Sequence, residues 1–164
     1  MKKEYTLKLI TIFLIIIIEL FLMLYINIKF YKGILKGQGL LAILLFGKLL
    51  IYNNSIKNNT KYVNTKIILL STLVLIIFLS ILPNYTYEKS KELIYSKYGY
   101  SIKIIEYDNY HKDTIPINHF DNKYLLNNRF YYFSIKKDKS IKHCMVDPSK
   151  GKIIELTSPY WPLK

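Results

Sequence analysis

Glu19 is the residue of this sequence whose type and position most suggest chemistry, because it lies inside a long apolar run. The run extends from Leu9 to Ile26, and only Thr11 and Glu19 interrupt it. An ionised carboxylate in hydrocarbon costs roughly 3 kcal/mol or more unless it is paired or protonated. Lys48, in the next apolar segment, is a partner that would have to reach inward. Glu19 therefore has two interpretations: an ion or proton relay or subunit contact, or a partner-bound residue that fixes helix packing.

Two His-x-Asp sequences in the second half of the chain offer ligands for a divalent metal. His111 and Asp113 form the first, and His119 and Asp121 repeat the spacing eight residues later. Imidazole and carboxylate groups are common metal ligands, and His143 is available as a further one. The alternative is a solvated polar loop. These four residues are therefore weak metal candidates.

Cys144 is the only cysteine, so an intrachain disulfide is impossible. Its neighbour His143 suggests a thiol with its base, but consecutive side chains on a strand point to opposite faces. We therefore predict a buried structural cysteine. The sequence contains no glycine-rich phosphate loop, serine-nucleophile elbow or paired-cysteine metal motif. A non-enzymatic protein without a cofactor is the prediction.

The elements that must position these residues begin with membrane helices in the first half of the chain. Apolar length and flanking lysines predict spans over about residues 7–28 and 62–83. The segment 33–52 is ambiguous: its length favours a third crossing, whereas its glycines favour a re-entrant or interfacial helix. We predict a transmembrane helical region over 1–83 with two to three spans.

The net charge of +13 is explained by membrane topology rather than by nucleic-acid binding. No acidic residue occurs between Leu20 and Tyr87. Seven lysines flank the apolar segments there: Lys29, Lys32, Lys36, Lys48, Lys57, Lys61 and Lys66. Lysine excess beside apolar segments commonly sets membrane orientation. Three spans with an inner N-terminus, or two with an outer one, both place residue 84 outside the cytoplasm.

The sequence pattern of residues 84–164 predicts a small extracytoplasmic α+β domain. Thr86–Tyr98 has a helical pattern that ends at Gly99. A strand over Ser101–Tyr107 and a long polar loop over Asp108–Asn128 follow. Three further strands form a meander: Arg129–Lys136, Ser140–Asp147 and Lys152–Thr157. The predicted fold is one helix on an antiparallel sheet of three to four strands, attached to the membrane helices.

Two segments of this domain carry a resemblance to a known family. Phe130–Asp138 reads FYYFSIKKD, and Cys144–Ile153 reads CMVDPSKGKI. A strand, a hairpin turn and a strand ending in Asp, a polar turn and Gly-Lys-apolar resemble PepSY-like domains. The resemblance is confined to the second half of the chain. It implies a non-catalytic binding or inhibitory module of the cell envelope.

These observations predict a small bacterial membrane protein whose outer domain binds a protein, a peptide or a wall component. An immunity, accessory or inhibitory role at the envelope is the specific version. The alternative is a structural subunit of a larger secretion or conjugation complex, associated with itself or other chains through its membrane helices. Membrane lipid is the one partner that both interpretations require.

Overall fold

The chain forms two compact units, seen here in a computed structural model that describes residues 2–35, 38–57, 62–107, 109–116, 129–138 and 140–162. The first unit comprises Met1–Tyr25 and Gly37–Leu82. The second comprises Ile26–Lys36 and Pro83–Lys164. The end of the first helix thus belongs to the same unit as the second half of the chain.

Three long helices build the first unit: α1 (Lys2–Tyr31), α2 (Gln38–Lys57) and α3 (Val63–Ile81). Within the described residues, Thr6–Tyr31 and Val63–Ile81 are long and apolar enough to cross a membrane. Most of their large apolar side chains are exposed, which a soluble helix bundle would avoid. The predicted apolar helices are confirmed as helices.

The interior of the first unit is narrow, because each helix contributes only a few side chains to it. Ile16 on α1, Leu45 on α2 and Phe78 on α3 are fully buried. Apolar residues surround each helix on every side, so burial here follows close approach of the helices rather than an apolar stripe.

The segment after α1 is folded rather than open. Asn27 is buried, and its side-chain amide donates to the Leu35 carbonyl (3.1 Å) while its Oδ1 accepts from the Leu35 N–H (3.2 Å). Gly33 has φ 72°, a conformation that glycine adopts without steric cost, and Ile34 behind it is fully buried. The glycine that suggested a flexible entry is therefore part of a closed turn in the second unit.

Helix α4 (Tyr87–Tyr98) lies within one residue of the predicted bounds. Thr86 caps its first turn by accepting from the Lys89 N–H at 3.2 Å. Gly99 ends it with φ 89°, and its N–H donates to the Tyr95 carbonyl at 2.8 Å.

The antiparallel sheet has the spatial order β1-β3-β4-β5, with β2 paired to the same edge of β3 as β1. The strands are β1 (Lys103–Ile105), β2 (Thr114–Pro116), β3 (Arg129–Lys137), β4 (Ser140–Val146) and β5 (Ile153–Leu156). The predicted meander is present as β3, β4 and β5.

The predicted polar loop is partly ordered structure. A 3₁₀ turn at Tyr110–Asp113 leads into β2, where Thr114 and Ile115 are buried. The Arg129 guanidinium donates from Nε to Thr114 Oγ1 (2.9 Å) and from Nη2 to the Thr114 carbonyl (3.0 Å). These tertiary contacts override a local composition typical of a loop. Residues 117–128 lie outside the described part.

The core of the second unit lies between α4 and one face of the sheet. The Tyr87 ring stacks on Phe133 (centroids 5.1 Å apart) and meets Tyr131 edge-on at 5.5 Å. Cys144 and Val146, the β4 partners of Phe133 and Tyr131, are fully buried on the same face.

We expect Gly151→Ala to lower the free energy of unfolding of the second unit by about 2–3 kcal/mol. Gly151 has φ 66°, and an added Cβ would lie 2.5 Å from Cζ of Tyr85. Trp161, the only tryptophan, reports unfolding of this unit by its fluorescence. Gly47→Ala is the control, because a Cβ there has nothing within 4 Å. Equal stability of the two variants would contradict the assigned turn.

Candidate functional site

One polar side chain from each long helix meets in the first unit. Lys48 Nζ of α2 lies 2.5 Å from Glu19 Oε2 of α1 and donates to Ser71 Oγ of α3 at 2.8 Å. Lys48 is 1% exposed, whereas the Glu19 side chain keeps 22% of its surface open. The structure contains the contact between Lys48 and Glu19 that the sequence suggested, and Ser71 joins it as a third residue. We call these residues the intramembrane triad.

The three residues lie at matching heights along their helices. Glu19 precedes the last residue of α1 by twelve positions, which is about 18 Å of helix. Lys48 follows the first residue of α2 by ten positions, and Ser71 precedes the last residue of α3 by ten, about 15 Å each. These heights agree if α2 runs antiparallel to α1 and α3. They also correspond to about half of a hydrocarbon layer roughly 30 Å thick.

The chemistry that this geometry best supports is mutual neutralisation. A carboxylate and an ammonium in contact form a pair of zero net charge, which removes most of the cost of placing either in hydrocarbon. Ser71 satisfies a second ammonium proton. The arrangement therefore fixes the register of three helices, which corresponds to the packing interpretation of Glu19.

A second ionic contact lies entirely within the second unit and involves the turn after α1. Lys32 Nζ is 3.0 Å from Asp113 Oδ2 and 4.8 Å above the centre of the Tyr87 ring. Asp113 is buried, so the pair is shielded from solvent. Burial raises the pKa of Tyr87, and the nearby Asp113 carboxylate raises it further, so this phenol stays neutral. The contact ties residues 26–36 to the sheet domain.

The sheet face opposite α4 carries a buried hydroxyl–imidazole cluster. Ser134 Oγ lies 2.7 Å from Tyr107 Oη and 2.9 Å from His143 Nδ1. Tyr132 Oη lies 3.0 Å from the same nitrogen and accepts the Tyr160 N–H at 3.3 Å. The C-terminal segment thus folds back onto this face.

The cluster keeps His143 neutral. Burial lowers the pKa of the imidazole, and no carboxylate among the described residues contacts it. A neutral ring whose Nδ1 accepts from a hydroxyl fits both neighbours. Burial likewise raises the pKa of Tyr107 to about 12. The group is a set of satisfied hydrogen bonds that orders the sheet face.

Cys144 is buried on the α4 side of the sheet, and His143 points to the other side. The Cys144 thiol contacts the Phe133 carbonyl at 3.8 Å, and burial raises its pKa to about 12. A thiol with this pKa is protonated at neutral pH and is a poor nucleophile. The prediction of a buried structural cysteine is confirmed.

The predicted metal ligands are only partly within view. Asp113 is paired with Lys32, and His111 lies two residues away in the 3₁₀ turn. His119 and Asp121 lie outside the described residues. Within the described ranges, no group of three or more His, Cys, Asp or Glu side chains is placed to hold a metal ion. The four-residue metal site stays a prediction.

Sequence reasoning identified Glu19 and Lys48 but missed three partners. Ser71, Ser134 and Asn27 are small polar residues in apolar surroundings, and no local pattern sets them apart. A weak signal was available: each is a polar residue in an apolar segment, and a polar group that becomes buried needs a hydrogen-bond partner.

Comparison with known proteins adds no relative. No family model, curated protein or solved structure matches this chain. The resemblance to PepSY-like domains stays a prediction.

We expect Glu19→Leu to destabilise the first unit by roughly 2–4 kcal/mol, because it leaves the Lys48 ammonium buried without a carboxylate. The double variant Glu19→Leu/Lys48→Leu should regain most of that loss, since neither charge remains. Unfolding in mixed micelles with increasing dodecyl sulfate, followed by helical circular dichroism, measures both. A double variant as unstable as the single one would show that the pair is not the cause.

Stability of the second unit should fall as pH drops below about 6.5, the usual pKa of histidine. Because the pKa of folded His143 is lowered, the unfolded chain binds this proton first. The stabilising contribution is therefore complete above about pH 6.5 and is lost at up to about 1.4 kcal/mol per pH unit below it. Trp161 fluorescence during denaturation between pH 7.5 and 5.5 measures this. His143→Gln should flatten the dependence, whereas His111→Gln should keep it.

Proposed function

We propose that the chain is a three-span membrane protein that displays its second unit outside the cytoplasm as a non-enzymatic binding module. The single observation that supports this most is which segments of the chain form the second unit. It joins residues 26–36, which follow the first span, to residues 83–164, which follow the last.

Shared membership in one unit constrains the number of crossings. The turn containing Lys32 must lie on the same side of the membrane as Asp113, its ion-pair partner. The end of α1 and the end of α3 therefore share a side. A chain that leaves that side after α1 and returns to it through α3 must cross once more between them, and α2 is the helix available.

The intramembrane triad supports the same path. α2 is less apolar than its neighbours because it carries Lys48, and the Glu19 carboxylate neutralises that charge. A twenty-residue helix is about 30 Å long, enough to span hydrocarbon.

Lysine distribution supports an outer location for the second unit. The side that would hold the N-terminus carries six lysines near the helix ends: Lys2, Lys3, Lys8, Lys57, Lys61 and Lys66. The other side carries three: Lys29 in the last turn of α1, and Lys32 and Lys36 after it. The lysine-rich side is generally cytoplasmic.

A binding role suits the chemistry of the second unit better than catalysis does. The adjacent histidine and thiol that suggested a nucleophile, His143 and Cys144, are both buried in structural contacts. The PepSY-like resemblance, with a helix on an antiparallel sheet, suggests the same class. In this proposal the domain recognises an envelope ligand or an incoming protein, and the membrane helices anchor it.

Cysteine labelling in whole cells tests this topology. In a Cys144→Ser background, single cysteines replace Lys36 between α1 and α2, Asn59 between α2 and α3, and Ser96 on the exposed side of α4. A membrane-impermeant maleimide should label the cysteines at 36 and 96 in intact cells and the one at 59 only after permeabilisation.

If only one of positions 36 and 96 were labelled in intact cells, the two positions would lie on opposite sides of the membrane. That result would contradict the proposal and favour the two-span topology. Labelling at 59 alone in intact cells would keep three spans but reverse the orientation. The wild-type protein is a further control, because its buried thiol should not react while the protein is folded.

A further inference from the structure

One end of the sheet carries lysines that have no acidic partner among the residues that the structure describes. Lys103 begins β1, and Lys136 and Lys137 end β3 before the hairpin turn; we call these three residues the basic end. All three are exposed. Three other lysines of the second unit pair with carboxylates: Lys32 with Asp113, Lys91 with Glu88 and Glu106, and Lys97 with Glu155.

The register places two of these charges directly against each other. Lys103 pairs with Lys136 across the strands, so both side chains rise from the same face. Like charges in this arrangement destabilise a sheet. Among the described residues no carboxylate lies within ion-pair distance of the basic end to relieve this. An external anion would relieve it.

The basic end lies at the opposite end of β3 from Tyr131. The Tyr131 hydroxyl donates to the Tyr85 carbonyl, and Thr114, next to Asp113, pairs with Tyr131. From Tyr131 to Lys137 is six residues of β3, or about 20 Å. The basic end is therefore separate from the contacts that hold Tyr85 and Thr114 within the second unit.

An aromatic platform precedes the first of these lysines by three residues. Tyr100 is 85% exposed, and its ring lies nearly parallel to Tyr95 (6°) with centroids 5.7 Å apart. Tyr95 holds one ring face, so the other is open to solvent. Flat aromatic faces of this kind stack on planar or ring-shaped ligand groups.

We propose that the basic end and Tyr100 bind an anionic sugar–phosphate or polyol–phosphate polymer outside the cell. This names the ligand of the binding module and depends on the proposed function for its location. Lysines are flexible point charges suited to phosphates at variable spacing, whereas bidentate carboxylate recognition favours arginine. A protein interface would need a desolvated apolar centre, and apart from Tyr100 the large exposed apolar side chain here is Ile141.

Binding of fluorescent poly(glycerol phosphate) to the full chain in nanodiscs of neutral phosphatidylcholine tests the proposal. Lys103→Gln/Lys136→Gln should weaken binding about tenfold at low salt and reduce the slope of log Kd against log salt by about 1–2. Tyr100→Ala should weaken binding about fivefold and leave that slope unchanged. Lys150→Gln/Lys152→Gln is the control: it removes the same charge from the turn beside Tyr85 and should bind as the wild type does.

Three results would overturn the proposal: equal losses in the two double-lysine variants, equal binding of poly-glutamate, or tighter binding of single-stranded DNA of matched charge. Equal losses would indicate diffuse charge attraction. Equal binding of poly-glutamate would indicate that the ligand is an acidic protein. Tighter binding of DNA would indicate that the ligand is a nucleic acid. Neutral nanodiscs expose both faces, so this assay does not depend on orientation in cells. Its failure and a failure of the labelling experiment are therefore distinguishable.

Discussion

The ammonium of Lys32 lies between the Asp113 carboxylate and the Tyr87 ring. This contact holds the turn after α1 against the sheet domain. Because the turn after α1 is built into the sheet domain, the proposal places the ends of α1 and α3 on one side of the membrane. In that proposal, α2 crosses the membrane between them. A contact within a small domain thus carries the proposed membrane path, which the apolar segments alone leave open.

The intramembrane triad solves a complementary problem. A helix carrying Lys48 is too polar to be stable alone in hydrocarbon, and a helix carrying Glu19 bears a similar cost. Together they make a neutral pair, so each helix requires the other. In the proposed three-span topology, this coupling favours insertion of the helices as a set over independent spans, and it specifies their register more sharply than apolar packing does.

Local signals predicted much of the fold. Gly99 and Thr86 marked the ends of α4, and alternation with turn residues marked β3, β4 and β5. The cost of an unpaired Glu19 in an apolar segment, and a Lys48 side chain able to reach it, suggested the contact between these two residues. Long-range contacts were the part that local patterns could not contain: Arg129 organises β2 from fifteen residues away, and Lys32 joins Asp113 across eighty-one positions. The basic end emerged only with the register, because adjacency across strands is invisible in the sequence.

The buried thiol of Cys144 has a consequence for how this domain would mature in its proposed location outside the cytoplasm. Once folded, the sulfur is shielded from oxidants and from other thiols. In the proposed location the unfolded chain would expose it to a compartment that favours oxidation, with no second cysteine in this sequence to form a harmless bridge. The interval between translocation and closure of the sheet over this side chain is thus a period of chemical risk. The short β3–β4 hairpin, which buries the sulfur against Phe133, shortens that period because its strands are adjacent in sequence.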